Sequence, residues 1–180
     1  MAQVSSWVQR FAPLAQPGEV LDLACGSGRH ARHFAALGYQ VLALDRDPEA
    51  LAHALGEGIA TLLADLEDGV TPWPFSPGRF AAIVVTNYLH RPLLAQLAAS
   101  LAPDGILIYE TFANGNGAFG KPSNPAFLLQ PGELLALASA NGLRVIAFED
   151  GYTDLPKPAM VQRLCACGPA FPRPKALLAP

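Results

Sequence analysis

Val20-Leu21-Asp22-Leu23-Ala24-Cys25-Gly26-Ser27-Gly28 is the stretch that decides how this chain folds. An apolar run broken only by Asp22 ends in two closely spaced glycines. Arg29 then opens a short, Ala-rich helical stretch over 29–37, which Gly38 stops. A buried strand, a tight turn and a helix in that order form the first unit of an alternating α/β sheet. Gly26 and Gly28 let the backbone turn sharply and approach a ligand with no Cβ in the way. In open sheets of this kind ligands bind in the crevice past the carboxyl ends of the strands.

The same rhythm continues along the chain. Runs rich in Val, Ile and Leu at 40–44, 59–64, 80–85, 105–110, 143–148 and 160–167 join 19–23 as expected strands. Asp47 is placed to cap a second helix with Pro48 at its first position. Leu93, Leu94, Leu97 and Leu101 recur at helical spacing and predict a buried stripe after the fourth strand. A last helix is expected from Pro131, carrying Leu134, Leu135, Leu137 and Ala138, until Asn141-Gly142 ends it. The expected architecture is one doubly wound, Rossmann-like α/β domain over 1–180 with a seven-stranded, mostly parallel sheet. Residues 1–18 form an N-terminal helix or lid, 19–168 the core, and 169–180 a Pro-rich tail, extended or poorly ordered at its far end. The Pro-rich stretch 67–78, with Trp73 and Phe75, reads as a packed loop. The stretch 113–130 is long for a connection inside a compact domain and reads as a lid or binding loop.

Composition narrows the function. With 51% hydrophobic and only 15% charged residues, the 180-residue chain is a folded globular protein rather than a disordered one. A formal net charge of −3 gives no general attraction to nucleic acid. Every apolar run is interrupted before it could span a bilayer, and Met1 to Trp7 lacks the pattern of a secretory signal. Three cysteines cannot all pair within one chain, so the expected location is a reducing cytoplasm. Cys165-Ala166-Cys167 reads as small apolar residues on one face of a strand.

The glycine turn alone is ambiguous. Gly26-Ser27-Gly28-Arg29-His30-Ala31 also fits the dinucleotide fingerprint with Ala in third place. What separates the readings is a set of acids at the ends of three successive strands. Asp22 stands before the turn, Asp45 closes the second strand where it can take both hydroxyls of a ribose, and Asp65 closes the third, within reach of an adenine amino group.

With these residues in place, the stretch 19–168 resembles the class I Rossmann-like S-adenosylmethionine-dependent methyltransferases, which close their sheet with an antiparallel last strand. Asp22 to Gly28 is similar to that family's acidic-x-Gly-x-Gly-x-Gly motif, with Ala24 in place of the first glycine. The short length more loosely resembles the tellurite-resistance type. The resemblance implies S-adenosylmethionine as cofactor and S-adenosylhomocysteine as product. It implies that Asp22 orients the methionine amino group, that Asp45 binds ribose, and that Asp65 with Leu66 contacts adenine. The expected cofactor set adds Ala24, Cys25, Gly26, Ser27 and Gly28 of the turn, Arg46, and Thr86 with Asn87 after the fourth strand.

Methyl transfer needs in-line approach of a nucleophile, and a base only when the acceptor is protonated. The acceptor is therefore expected past the fourth and fifth strands. There Tyr88, His90 and Glu110 are the candidates for orienting or acid–base roles, set against helix capping for His90 and loop anchoring for Glu110. Asn87 resembles the start of an Asn-Pro-Pro-Tyr motif, but Tyr88-Leu89 replace the prolines, which argues against DNA-base or glutamine methylation. Lys121 and Asn124 read as a solvated loop face. His30 and His33, one turn apart with no third ligand nearby, read as solvent-facing residues and not as a metal site. Trp7, Arg10 and Phe11 form an amphipathic segment, either a lid or a packed terminus. The expected function is methyl transfer to a small molecule, with neither nucleic acid nor membrane as partner. The alternatives are a non-catalytic S-adenosylmethionine-binding protein and an NAD(P)-dependent oxidoreductase.

Overall fold

A computed structural model describes residues 3–175, so Met1, Ala2 and the far end of the Pro-rich tail lie outside the described residues. The strands are β1 (Glu19–Leu23), β2 (Gln40–Asp45), β3 (Ile59–Leu63), β4 (Phe80–Thr86), β5 (Leu101–Phe112), β6 (Arg144–Thr153) and β7 (Ala159–Cys167). They form one sheet in the order β3-β2-β1-β4-β5-β7-β6, with β7 antiparallel to both its neighbours and the other pairs parallel.

Alternation along the central strands builds two cores. Leu21, Leu23, Ile83, Val85, Leu107 and Tyr109 face α4 (Leu94–Ala99) and α5 (Glu133–Ala140), where Leu97 and Leu134 meet them. Val20, Ala82, Val84, Ile106 and Ile108 face the other way. That face is covered by α1 (Ser6–Phe11), α2 (Arg29–Ala36) and α3 (Pro48–Ala54) through Trp7, Phe34 and Leu51. Cys165 and Cys167 are buried on the same face.

Asp47 caps α3, accepting the N–H groups of Glu49 and Ala50, with Pro48 at the first position. The 67–78 loop is packed, Trp73 donating its indole N–H to Ser100 Oγ at 2.8 Å and Phe75 lying in the core. The N-terminal segment is also packed. Trp7 and Phe11 are buried, the Trp7 indole N–H donates to Leu164 O at 3.2 Å, and the Arg10 guanidinium lies over both rings.

Three expectations are corrected. Leu101 does not belong to the helical stripe: it opens β5 and pairs with Phe80, because the helix ends at Ser100 and Pro103 cannot continue it. β6 runs on to Thr153 through Glu149 and Asp150, polar residues that an edge strand tolerates. The helix expected at Pro131 begins at Glu133, after Gly132 in a left-handed conformation.

Candidate active site

The strand order changes direction at β1, whose neighbours are β2 on one side and β4 on the other. Past the carboxyl ends of β1 and β4 stand Ala24 at φ +53° and Asn87 at φ +56°, the only non-glycine residues with positive φ among the described residues. Such backbone costs an L-residue about 1–2 kcal/mol, and it concentrates at functional sites. Replacing Ala24 by Gly relieves that strain but adds about 0.4–1 kcal/mol of unfolded-chain entropy. Urea titration of Ala24→Gly is therefore expected to show a small gain, up to about 1 kcal/mol. A clear loss would mean that the Ala24 methyl group packs in the native turn.

Both residues line a cavity of about 260 Å³. Its apolar wall is Leu23, Leu44, Ala64 and Leu66, and its charged groups are Asp45, Arg46, Asp65 and Glu67. Asp45 holds the turn directly: Oδ2 accepts Gly26 N–H at 2.7 Å and Oδ1 accepts Asp47 N–H at 3.0 Å. Each oxygen retains a further lone pair for a ligand hydroxyl. Asp65, two residues beyond β3, accepts Glu67 N–H at 2.9 Å. A Cβ on Gly26 would meet nothing within 4 Å, so this part of the turn presents bare backbone to open space.

Asp22, Cys25, Gly26, Ser27, Gly28 and Thr86 of the expected cofactor set do not line this cavity. Asp22 is buried on the α2 side of β1, where its Oδ2 accepts Ala31 N–H at 2.8 Å. The helix N-cap is Gly28, which has no side chain to offer, so a carboxylate from the neighbouring strand supplies the missing acceptor. Burial pushes the Asp22 carboxyl up to about 7, against the lowering effect of the Ala31 hydrogen bond and of Arg29. Gly28 packs against α3, because a Cβ there would lie 2.6 Å from the Ala54 Cβ. Its lack of a side chain serves helix packing, not close approach to a ligand. Ser27 is exposed, and burial pushes the Cys25 thiol up, away from thiolate chemistry.

Asn87 also lines a second cavity of about 310 Å³, between the N-terminal segment and the β5, β6 and β7 strands. Backbone ties fix this junction: Asn87 N–H donates to Glu110 O at 2.9 Å, and the buried Tyr109 hydroxyl donates to Tyr88 O at 2.9 Å. The three candidate acceptor-side residues are not brought together. Tyr88 lines the first cavity, where burial and the adjacent Glu67 carboxylate raise its hydroxyl and keep it protonated. Glu110 lines the second but is held by Arg163, which reaches it at 2.5 Å and reaches Glu149 at 3.0 Å across three neighbouring strands. His90 lines neither cavity and makes no side-chain cap. No residue of 113–130 lines either one, Lys121 and Asn124 included.

The reading of His30 as solvent-facing is overturned. It is buried on the same α2 face as Ala31 and Phe34, with Nε2 accepting Ser5 N–H at 3.3 Å and Nδ1 at 3.3 Å from Thr86 Oγ1. Burial lowers it to about 3, so it is neutral, and Nδ1 carries the proton. The signal was present in the sequence, since Ala31 and Phe34 mark the apolar face one residue and one turn away. His33 is half-buried, and its Nε2 has no partner.

The sequence model of the methyltransferase-domain family matches residues 2–154. The chain belongs to the class I S-adenosylmethionine-dependent methyltransferases. The chain is 34% identical over 149 residues to trans-aconitate 2-methyltransferase of Methylobacterium nodulans, a match covering 77% of the present chain and 55% of the relative. It spans about half the length of the curated relatives it matches. Among solved structures, TehB from Haemophilus influenzae superposes with a TM-score of 0.74 at 19% identity, over 92% of this chain and 62% of that one. The 1,6-didemethyltoxoflavin-N1-methyltransferase of Burkholderia thailandensis gives 0.65 at 22% identity, over 90% and 76%. Family membership decides against the nicotinamide enzyme that the glycine turn also admitted.

Proposed function

We propose that this methyltransferase transfers a methyl group from S-adenosylmethionine, held in the cavity beside Ala24 and Asp45, to a small molecule in the cavity beside Glu110. The observation that carries this reading is the meeting of two cavities at one residue, Asn87. A donor and an acceptor placed on either side of it are near enough for in-line transfer.

When bound, S-adenosylmethionine supplies a methyl group on a sulfonium, electrophilic without further activation. The chain's own part is binding and orientation. Asp45 offers lone pairs to ribose hydroxyls from an oxygen already aligned by Gly26 N–H, and Asp65 with Leu66 takes the adenine. Tyr88, protonated, is a hydrogen-bond donor on the cofactor side. Small acceptors also appear in the names of the relatives, trans-aconitate in one and 1,6-didemethyltoxoflavin in another.

Calorimetric titration with S-adenosylhomocysteine and with NAD tests the donor. We expect the first to bind and the second not to, and the reverse result overturns the proposal. Asp45→Ala should weaken S-adenosylhomocysteine binding by about 1–3 kcal/mol, because it removes the ribose acceptor and leaves Gly26 N–H unpaired. Unchanged affinity would refute the ribose assignment.

A further inference from the structure

The two cavities carry opposite charge. Asp45, Asp65 and Glu67 oppose a single cation, Arg46, in the first, whereas Arg29, Lys157 and Arg163 oppose a single carboxylate, Glu110, in the second. The second is therefore a cationic pocket on a chain whose formal net charge is −3. Its one carboxylate is already matched, because Arg163 spans Glu110 and Glu149. Arg29 and Lys157 form no salt bridge among the described residues. Lys157 Nζ stands over the Phe112 ring, 6.0 Å from its centroid, and Val161 and Val4 line the same cavity.

The second cavity also lacks a free base. Tyr88 is in the other cavity and stays protonated, His90 lines neither, Glu110 is tied to Arg163, and Asn87 does not titrate. A protonated amine, an alcohol or a phenol would need a group to take its proton, whereas a carboxylic acid is already ionised at neutral pH.

Resting on the methyltransferase reading above, we propose that the acceptor is a small organic carboxylate with an apolar body, methylated on a carboxylate oxygen. Lys157 and Arg29 recognise its negative charge, and Phe112 and Val161 take the apolar part. The carboxylate oxygen donates a lone pair to the methyl carbon as the carbon–sulfur bond breaks, its electron pair passing to sulfur. Anion and sulfonium become a neutral methyl ester and a neutral thioether, and no proton moves.

Two measurements test this. First, protein loaded with S-adenosylhomocysteine is titrated with a panel of small aliphatic and aromatic carboxylic acids and with their primary amides. Acids are expected to bind and amides not to, and Lys157→Glu should weaken acid binding about tenfold or more while S-adenosylhomocysteine affinity stays as it was. Second, methyl-labelled donor is supplied with matched acids, phenols and amines. Label is expected in acid-derived products that release volatile methanol in base. Failure to bind S-adenosylhomocysteine would overturn the methyltransferase reading itself. Normal binding of it, with no acid bound, no base-labile product, or no effect of Lys157→Glu, overturns only the carboxylate assignment.

Discussion

An Asp22→Asn variant should lose about 1.4 kcal/mol of stability for each pH unit between about 6.5 and 4, while the native chain shows no such slope from this pair of groups. Two buried groups with opposite shifts produce the cancellation. His30 titrates at about 3 folded and near 6.5 unfolded, so in this window only the unfolded chain binds its proton, and stability falls with pH. Asp22 titrates at about 7 folded and near 3.8 unfolded, so only the folded chain binds its proton, and stability rises as pH falls. One proton taken up by each state leaves the balance unchanged. Removing the carboxyl exposes the histidine slope, worth about 3–4 kcal/mol across the window. The structural event behind that slope is local: a protonated Nε2 becomes a donor pointing at the Ser5 N–H donor. Urea titrations of both proteins at stepped pH measure the difference directly, and parallel profiles would show that the two groups are not balanced in this way.

What the sequence reveals and what it conceals follow from how far apart the partners are. β1, its turn and the helix after it are contiguous, so apolar period, glycines and caps announce them together. Asp45 is legible as the acid that ends β2, and Asp65 as an acid just past β3, because each follows directly on an apolar run in the sequence. The spacing of Leu101 from Leu97 fits a helix, and only its pairing with Phe80 shows the strand. For His30 the apolar face shows locally in Ala31 and Phe34, but the partners that hold its ring, Ser5 and Thr86, lie 25 and 56 residues away. The second cavity was the least legible part. Its walls come from Gln3 to Ser6, from the β6–β7 connection and from β7, while the long Gly- and Asn-rich loop that promised a lid contributes nothing to it. That loop is held elsewhere, by the buried Asn116, whose amide donates to Pro122 O and whose oxygen accepts Met160 N–H.

Gly28→Ala is expected to destabilise the fold by about 2–5 kcal/mol, more than Gly26→Ala in the same turn. Both glycines have positive φ, +76° and +53°, so either substitution carries the left-handed cost of about 1–2 kcal/mol. They differ in what a methyl group meets. At Gly28 it would stand 2.6 Å from the Ala54 Cβ and 2.8 Å from the Ala54 Cα, and a helix backbone cannot yield as a flexible side chain does. Overpacking of this kind adds about 1–3 kcal/mol. At Gly26 the methyl enters open space, and only the conformational cost remains. Chemical denaturation of the two variants separates packing from conformation. α3 begins three residues after Asp45, behind its cap Asp47, whose N–H donates to Asp45, so prying α2 from α3 at Gly28 also displaces the carboxylate that holds the turn. Gly28→Ala protein that folds should therefore bind S-adenosylhomocysteine more weakly than the native chain. Equal destabilisation by the two substitutions would show that contact with α3 is not what requires glycine at position 28.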